Sequence, residues 1–282
     1  MTKQIARTLA MAMVLAPIAI AQTTGGTETQ VTAPAPRKVL QAKTQEEHTA
    51  FLAAMNDPDP AAGEAAARLF AEQYPDSDLK GILFGMLQRK YQAAGNEEKV
   101  MDMGRMALQF DPDNTIVLVV TSTQIAERTR DTDLDRDERY AEAVQMAQHA
   151  IDSVETGLVL GPQVTPEQVE SVKKDLLARA HAVLGMVSMT QKNYASAEGH
   201  FRTATELNQE QPDPYIWYRL ALCMDYQKKY AEALVAANRA VELAPAGDPI
   251  NTLAKQEQNR LTKLVAASAP KPAAETTPKS QP

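Results

Sequence analysis

Residues 217–245 read WYRLALCMDYQKKYAEALVAANRAVELAP, and this stretch decides the fold. Its second half places alanines three or four residues apart, at Ala233, Ala237 and Ala240, which is the spacing of one helix face. Pro245 then ends the helical pattern. Because small residues on one face let a second helix approach closely, the stretch predicts two helices packed as a hairpin.

The same pattern recurs upstream at a nearly constant interval. Pro75 and Pro112 mark two of the turns, and their spacing is close to a period of about 34 residues. One further copy contains Leu184, Gly185, Tyr194, Ala197, Phe201, Ala204 and Leu207, and another contains Phe84, Leu87, Tyr91, Gly95, Val100, Gly104, Ala107 and Pro112. The pattern resembles the tetratricopeptide repeat, although Ala237 replaces the usual Phe and Gln209 replaces the usual Pro.

This resemblance implies an all-α fold, a right-handed α-solenoid of roughly five helical hairpins within residues 43–267. Degenerate copies at 50–75 and 115–154 complete the set, and the last helical stretch, 248–267, is expected to cap the stack. One hairpin cannot bury its apolar face alone, so the hairpins must stack on one another. The low aromatic content, 5%, and the frequent alanines agree with an all-α chain.

The charge of the chain argues against nucleic-acid binding, and its cysteine content excludes an intramolecular disulfide. The chain carries a net charge of −7 and shows no basic patch, so nucleic-acid binding is not expected. Cys223 is the single cysteine, which excludes an intramolecular disulfide. Its apolar neighbours predict a buried, unreactive thiol.

The N-terminus resembles a secretory signal peptide over residues 1–21. Lys3 and Arg7 precede a short apolar run, and Ala19-Ile20-Ala21 gives a small-x-small cleavage pattern before Gln22. An uncleaved anchor is the alternative, but the run is shorter than the roughly 20 residues that span a bilayer. We therefore expect an exported protein, periplasmic or secreted, whose mature chain has no membrane span.

The segments that flank the solenoid are rich in Pro, Ala and Thr. Residues 22–42 and 268–282 contain few side chains that could enter a core. Such segments cannot offset the entropy of ordering, so both are predicted to be disordered.

A candidate partner-binding groove follows from the resemblance, because the first helix of each hairpin in this family lines a concave surface. The resemblance places the following residues there: Arg89, Gln92, Thr123, Glu127, Arg179, Met186, Met189, Tyr215, Tyr218, Leu222 and Tyr226. The last four share one helix face, and tyrosines are frequent in interaction hot spots. Packing of part of this stripe beneath the capping helix or an insertion is the alternative.

Some members of the family hold a partner's C-terminal carboxylate with Lys and Asn side chains in the groove. Here Gly85, Thr123 and Ala182 stand where such donors would be needed. An extended or helical segment of another protein is therefore the expected partner.

The loop at 131–137 resembles the opening of a calcium-binding loop, with Glu142 at a suitable distance. Arg136, however, replaces the Gly that the sharp turn of such a loop requires. We expect a solvated loop whose acids cap the following helix. The scattered histidines form no metal motif, and no catalytic motif is present in the sequence.

The sequence thus predicts a non-enzymatic interaction scaffold without metal or cofactor. We expect this scaffold to bind a segment of another protein in the groove. Two alternatives stay open: a self-associating structural element, and a metal-binding or enzymatic protein that uses the inserted loops at 129–139 and 155–165.

Overall fold

The computed structural model describes residues 40–158, 160 and 163–268. The predicted signal peptide, nearly all of the segment 22–42 and the tail 269–282 lie outside these described residues. Within them the secondary structure consists of eleven α-helices without a strand. The helices are α1 Gln45–Asn56, α2 Pro60–Gln73, α3 Lys80–Ala93, α4 Glu97–Phe110, α5 Thr115–Arg128, α6 Arg136–Gly157, α7 Pro166–Thr190, α8 Tyr194–Leu207, α9 Pro214–Tyr226, α10 Tyr230–Leu243 and α11 Pro249–Ser268.

The chain forms two compact units, with the boundary inside α7 between Val187 and Ser188. In the first unit α1 pairs with α2, α3 with α4 and α5 with α6, while α2 also packs on α3 and α4 on α5. In the second unit α8 packs on α9, α9 on α10, and α10 on α11. Helices from α1 to α6 and from α8 to α11 thus pack on their neighbours in sequence, and the prediction of an all-α chain of paired helices is confirmed.

Asp-Pro and Asn signals set the starts of the helices. Asp213 accepts a hydrogen bond from the backbone N–H of Tyr215 at 2.7 Å, and Pro214 occupies the first helical position of α9. Asp59 and Pro60 begin α2 in the same way. These side chains satisfy amides that the helix leaves unpaired, which is why the turns punctuate the sequence so regularly.

The turns between the two helices of three hairpins close with the same hydrogen bond. The N–H of Asn96 donates to Tyr91 O, that of Asn193 to Ser188 O and that of Lys229 to Met224 O, each at 2.9 Å. This six-to-one bond requires a left-handed residue. Gly95 supplies it in one turn (φ 70°), and lysines supply it in the other two, at Lys192 and Lys228 (φ 60° and 62°). The shared turn geometry is independent evidence of a structural repeat.

The predicted insertions are partly helical. Residues 136–139 already belong to α6, which has 22 residues, and α7 has 25. Both helices are longer than the roughly 11–12 residues of an average helix. Within the first unit, α7 packs Leu176, Ala180 and Val183 into the apolar cluster formed with α5 and α6.

A buried amide marks an exchange of large and small residues in the first unit. Gln88 follows Leu87 where Gly185 follows Leu184 in the later copy, and Gly104 stands at the place of Phe201. The Gln88 side chain is 1% exposed, and its Nε2 donates to Thr121 Oγ1 at 2.7 Å and to Val100 O at 3.3 Å. A Cβ on Gly104 would overlap both Thr121 Oγ1 and Gln88 Nε2. The missing side chain therefore makes room for a satisfied polar contact between α3, α4 and α5.

A buried carboxylate in the first unit gathers donors from two hairpins. Glu64 of α2 accepts from Tyr91 Oη at 2.7 Å, Arg68 Nη2 at 2.8 Å and Lys99 Nζ at 3.0 Å. Burial raises the pKa of the Glu64 carboxyl, but these donors together outweigh burial and hold the pKa below its usual value. Burial and the nearby carboxylate raise the pKa of Tyr91 to about 12, so its hydroxyl stays a donor.

The second unit repeats this arrangement. Glu198 of α8 accepts from Arg202 Nε at 2.9 Å, Gln227 Nε2 at 2.7 Å and Lys229 Nζ at 2.8 Å. Burial raises the pKa of this carboxyl too, and the donors again keep it below its usual value. Each carboxylate therefore joins its own helix to the hairpin that follows.

Helix α11 closes the second unit, as the sequence predicts. It lies against α10 and also contacts α9, and it buries Ile250, Ala254 and Leu261. Arg260 pairs with Asp225 at the end of α9 and with Glu257 one turn earlier in α11. The helix therefore covers apolar surface that the last hairpin would otherwise expose.

Candidate functional site

Helix α9 presents a face that we call the tyrosine face: Tyr215, Tyr218, Leu222 and Tyr226. Tyr215 is 40% exposed and Tyr226 is 57% exposed, at opposite ends of the helix. Tyr218 and Leu222, between them, are half-buried. The opposite face, with Ile216, Leu220 and Cys223, is buried in the unit. The tyrosine face is thus an accessible surface on a helix whose other side is fixed.

Helix α11 and the residue before it contact part of the tyrosine face. Tyr215 Oη donates to Asp248 Oδ1 at 3.1 Å, just before α11 begins. Burial raises the pKa of Tyr218, and the nearby Glu257 of α11 adds to that rise. The alternative of packing beneath the capping helix therefore holds for part of this stripe, although Tyr226 stays 57% exposed.

Tyr226 stacks on another tyrosine. Its ring lies 4.4 Å from that of Tyr194, with an angle of 12° between the ring planes. Stacking fixes the orientation of an exposed aromatic side chain, and this reduces the entropy that a partner would have to remove on binding.

A cavity of about 370 Å³ opens on the first unit between α1, α3 and α5. We call it the Arg89 cavity. Its apolar walls include Met55, Ile82, Met86, Ile116 and Val117. Gly85 forms part of the lining, and a Cβ there would stand 3.3 Å from Val117 Cγ2. The absence of a side chain at Gly85 keeps this part of the cavity open.

Arg89 is the charged side chain of that cavity. The side chain is exposed overall, but desolvation by the surrounding protein lowers the pKa of its guanidinium. Among the described residues, no hydrogen bond or acidic partner of this guanidinium is found. The adjacent Lys90 differs, since its Nζ donates to the carbonyls of Met55 and Asp57 at 2.7 and 2.6 Å.

The other predicted groove residues have varied surroundings. Gln92 and Glu127 are exposed, and Arg179 lies 3.9 Å from Asp175 on its own helix. Thr123 is half-buried, and its Oγ1 lacks a hydrogen-bond partner in the part of the chain that the structure describes. Met186 is half-buried against the apolar cluster of α5, α6 and α7, and Met189 is half-buried at the end of α7. Arg89 lies in the first unit and the tyrosine face in the second. The prediction of one shared groove stays a prediction.

Sequence reasoning missed the apolar walls of the Arg89 cavity. Ile82 and Met86 precede Arg89 by seven and three positions, so the three residues share one face of α3. The sequence alone could therefore have predicted that Ile82 and Met86 lie beside Arg89. The matching wall from Ile116 and Val117 depends on how α5 packs beside α3, which spacing alone does not provide.

The prediction that acids of the 131–137 loop cap the next helix is wrong for the residue at the cap. Asp135 occupies the N-cap of α6 without a capping side-chain bond, and its carboxylate pairs with Arg139 at 2.7 Å instead. Glu142, which would complete a calcium loop, accepts two hydrogen bonds from Arg105, both at 2.7 Å. These arginines satisfy the carboxylates that a cation would need. In the described parts of the chain, no group of three His, Cys, Asp or Glu side chains is arranged to hold a metal ion.

Cys223 is buried and unpaired, as predicted. Burial, with a smaller contribution from Glu198, raises the pKa of its thiol to about 12. The thiolate that reacts with electrophiles is therefore almost absent at neutral pH.

None of the helices in the described residues has the length and apolar character of a membrane span.

Comparison with known proteins identifies one segment by family. Residues 214–246, which contain α9 and α10, match the tetratricopeptide repeat family. No curated protein matches the sequence.

Solved structures show similarity over most of the chain. PilF of Pseudomonas aeruginosa is 19% identical, with a TM-score of 0.52 over 79% of this chain and 87% of that protein. PilW, a widely conserved type IV pilus biogenesis factor, is 17% identical, with a TM-score of 0.45 over 82% and 96%. A thermophilic TPR protein of Thermus thermophilus is 15% identical, with a TM-score of 0.43 over 78% and 99%. At these identities the similarity to PilF concerns the fold alone. The family match is thus shown for the hairpin of α9 and α10, and the similarity to PilF shows an all-helical fold of the same kind over most of the chain.

Proposed function

We propose that this protein is a non-enzymatic scaffold that binds a segment of another protein. The observation that carries the proposal is the tyrosine face: four large side chains along one side of a helix that packs against α8, α10 and α11, with Tyr215 and Tyr226 exposed. Tyrosines at accessible, well-supported positions are typical of interaction hot spots. The tetratricopeptide match covers the helix that carries this face, and the family's common use in protein interaction agrees with it.

The proposal predicts that loss of the two exposed tyrosines weakens partner capture. The full chain, immobilised, is exposed to a cell-envelope extract, the retained protein is identified by mass spectrometry, and its affinity is then measured. The double variant Tyr215→Ala/Tyr226→Ala is expected to bind it roughly 30-fold more weakly, the equivalent of one strong hot spot.

A matched control comes from the second helix of the same hairpin. Val235 of α10 is 66% exposed, and Val235→Ala also removes an exposed apolar side chain. Its affinity should equal that of the wild type. If both variants bind as the wild type does, the binding surface lies elsewhere. Light scattering on the same samples tests the alternative of self-association, which a strict monomer would exclude.

We further propose that the protein works in the cell envelope, on the basis of the signal-like residues 1–21. Expression of the full chain in a bacterium is expected to yield a mature protein that begins at Gln22. Cell fractionation is expected to recover this protein in the periplasmic fraction. Intact-mass measurement checks the cleavage. A protein that retains Met1 and stays with the cytosol would contradict the proposal.

A further inference from the structure

The Arg89 cavity is lined by one charged side chain, that of Arg89, which is exposed. Arginine side chains at protein surfaces commonly pair with carboxylates, as Arg105 pairs with Glu142 through two bonds of 2.7 Å in this unit. Arg89 has no such partner among the described residues. Its guanidinium stands beside apolar walls, where a charge-assisted hydrogen bond is stronger than in open water.

The walls of the Arg89 cavity determine which side chains of a partner can bind next to a charged group. Ile82, Met86 and Ile116 are apolar, and methionine adapts its shape to different side chains. A volume of about 370 Å³ lies at the lower end of the roughly 300–1,000 Å³ range of binding clefts. The cavity therefore fits one or two side chains of a peptide rather than a folded surface.

The identity of the charged group follows from the number of cations. Sites for phosphate groups commonly gather several arginines or lysines. Here Lys90 is engaged by backbone carbonyls of residues 55 and 57, and Arg89 is the one cationic side chain among the described residues that line the cavity. A planar guanidinium matches a single carboxylate in a two-bond arrangement. The chain's net charge of −7 gives no long-range attraction to acids, so the recognition must be local.

We propose that the Arg89 cavity binds an internal Asp or Glu of a partner peptide, with a neighbouring Leu, Ile, Met or Phe of that peptide seated against Ile82, Met86 and Ile116. This inference rests on the proposed scaffold function and names the chemistry of one part of its partner. The peptide is internal because Gly85 and Thr123 do not supply the additional charged or amide donors that hold a free C-terminus.

The test is selection from a random twelve-residue peptide library, displayed at the N-terminus of a phage coat protein so that no free C-terminal carboxylate exists. Full-length wild-type protein is expected to enrich peptides with Asp or Glu within two residues of a large apolar residue. The variant Arg89→Glu is expected to enrich Lys or Arg at the same place. Arg130→Gln, which alters an exposed arginine of the α5–α6 loop, should select the wild-type motif.

The enriched peptide then allows a double-variant measurement by fluorescence polarisation. Arg89→Gln is expected to weaken binding at least tenfold, and replacing the peptide's acid by its amide should weaken wild-type binding equally. The two changes together should weaken binding no further than either alone. Equal urea midpoints for Arg89→Gln and wild type establish that folding is intact.

Three outcomes overturn the inference: no enriched peptide, enriched peptides without an acid, or binding that Arg89→Gln leaves unchanged. These outcomes are separable from failure of the scaffold proposal. Peptides without an acid whose binding depends on Tyr215 and Tyr226 would overturn the role of Arg89 and leave the scaffold function intact.

Discussion

Gly104→Ala is expected to lower the free energy of unfolding by about 3 kcal/mol. The new methyl group would overlap Thr121 Oγ1 and Gln88 Nε2, and it would stand 3.1 Å from Thr121 Cβ. Overpacking of a core typically costs about 1–3 kcal/mol, and loss of the buried Gln88–Thr121 hydrogen bond adds about 1 kcal/mol. Urea unfolding followed by far-ultraviolet circular dichroism measures the change.

Two further variants establish the cause. A methyl group on Gly199 of α8 would meet no atom within 4 Å outside its own helix, so Gly199→Ala should stabilise the protein slightly. Adding Thr121→Ala to Gly104→Ala removes the worst overlap, and the pair should cost less than the sum of the single changes. Equal effects of Ala at positions 104 and 199 would show that Gly104 makes no tight contact.

Glu64→Gln is expected to cost about 2 kcal/mol at neutral pH, because the carboxylate accepts hydrogen bonds from two cations and a buried tyrosine. The effect depends on pH in a defined direction. The pKa of Glu64 is lower in the folded protein than in the unfolded chain. Its stabilisation is therefore complete above the ordinary pKa of about 4.3 and is lost as the pH falls through the lower folded pKa.

Urea midpoints of wild type and Glu64→Gln should therefore differ at neutral pH and converge in acid. Glu98→Gln serves as the control, because Glu98 is an exposed carboxylate of α4. Its midpoint should follow the wild type at both pH values. A difference in urea midpoint between wild type and Glu64→Gln that persists unchanged in acid would contradict the conclusion that the ionised carboxylate of Glu64 stabilises the fold.

The order of the hairpins could be predicted from the sequence because it depends on local chemistry. Asp213-Pro214 and Asp59-Pro60 mark helix starts through bonds within two residues. The alanine spacing of the last hairpin indicates a close helix contact. The hydrogen bond of Gln88 in the space beside Gly104 was not predictable, since its acceptor, Thr121, comes from the next hairpin.

The candidate site was predicted less completely. The tyrosine face could be read from spacing on one helix, and Arg89 from its place in the repeat. The apolar walls opposite Arg89 come from a different hairpin, so only the packing of α3 beside α5 reveals the cavity. The capping role was wrong at Asp135 because Arg139, in the first turn of α6, pairs with its carboxylate.

The shielded thiol of Cys223 gives this protein a practical advantage for spectroscopy. Burial raises the pKa of this thiol to about 12, so the thiol stays protonated at neutral pH. Because the side chain is also buried, we expect maleimide reagents not to react with it. A cysteine introduced on the surface then becomes the sole attachment point for a dye. Bound and free states of any partner could thus be followed one molecule at a time without first removing a native residue.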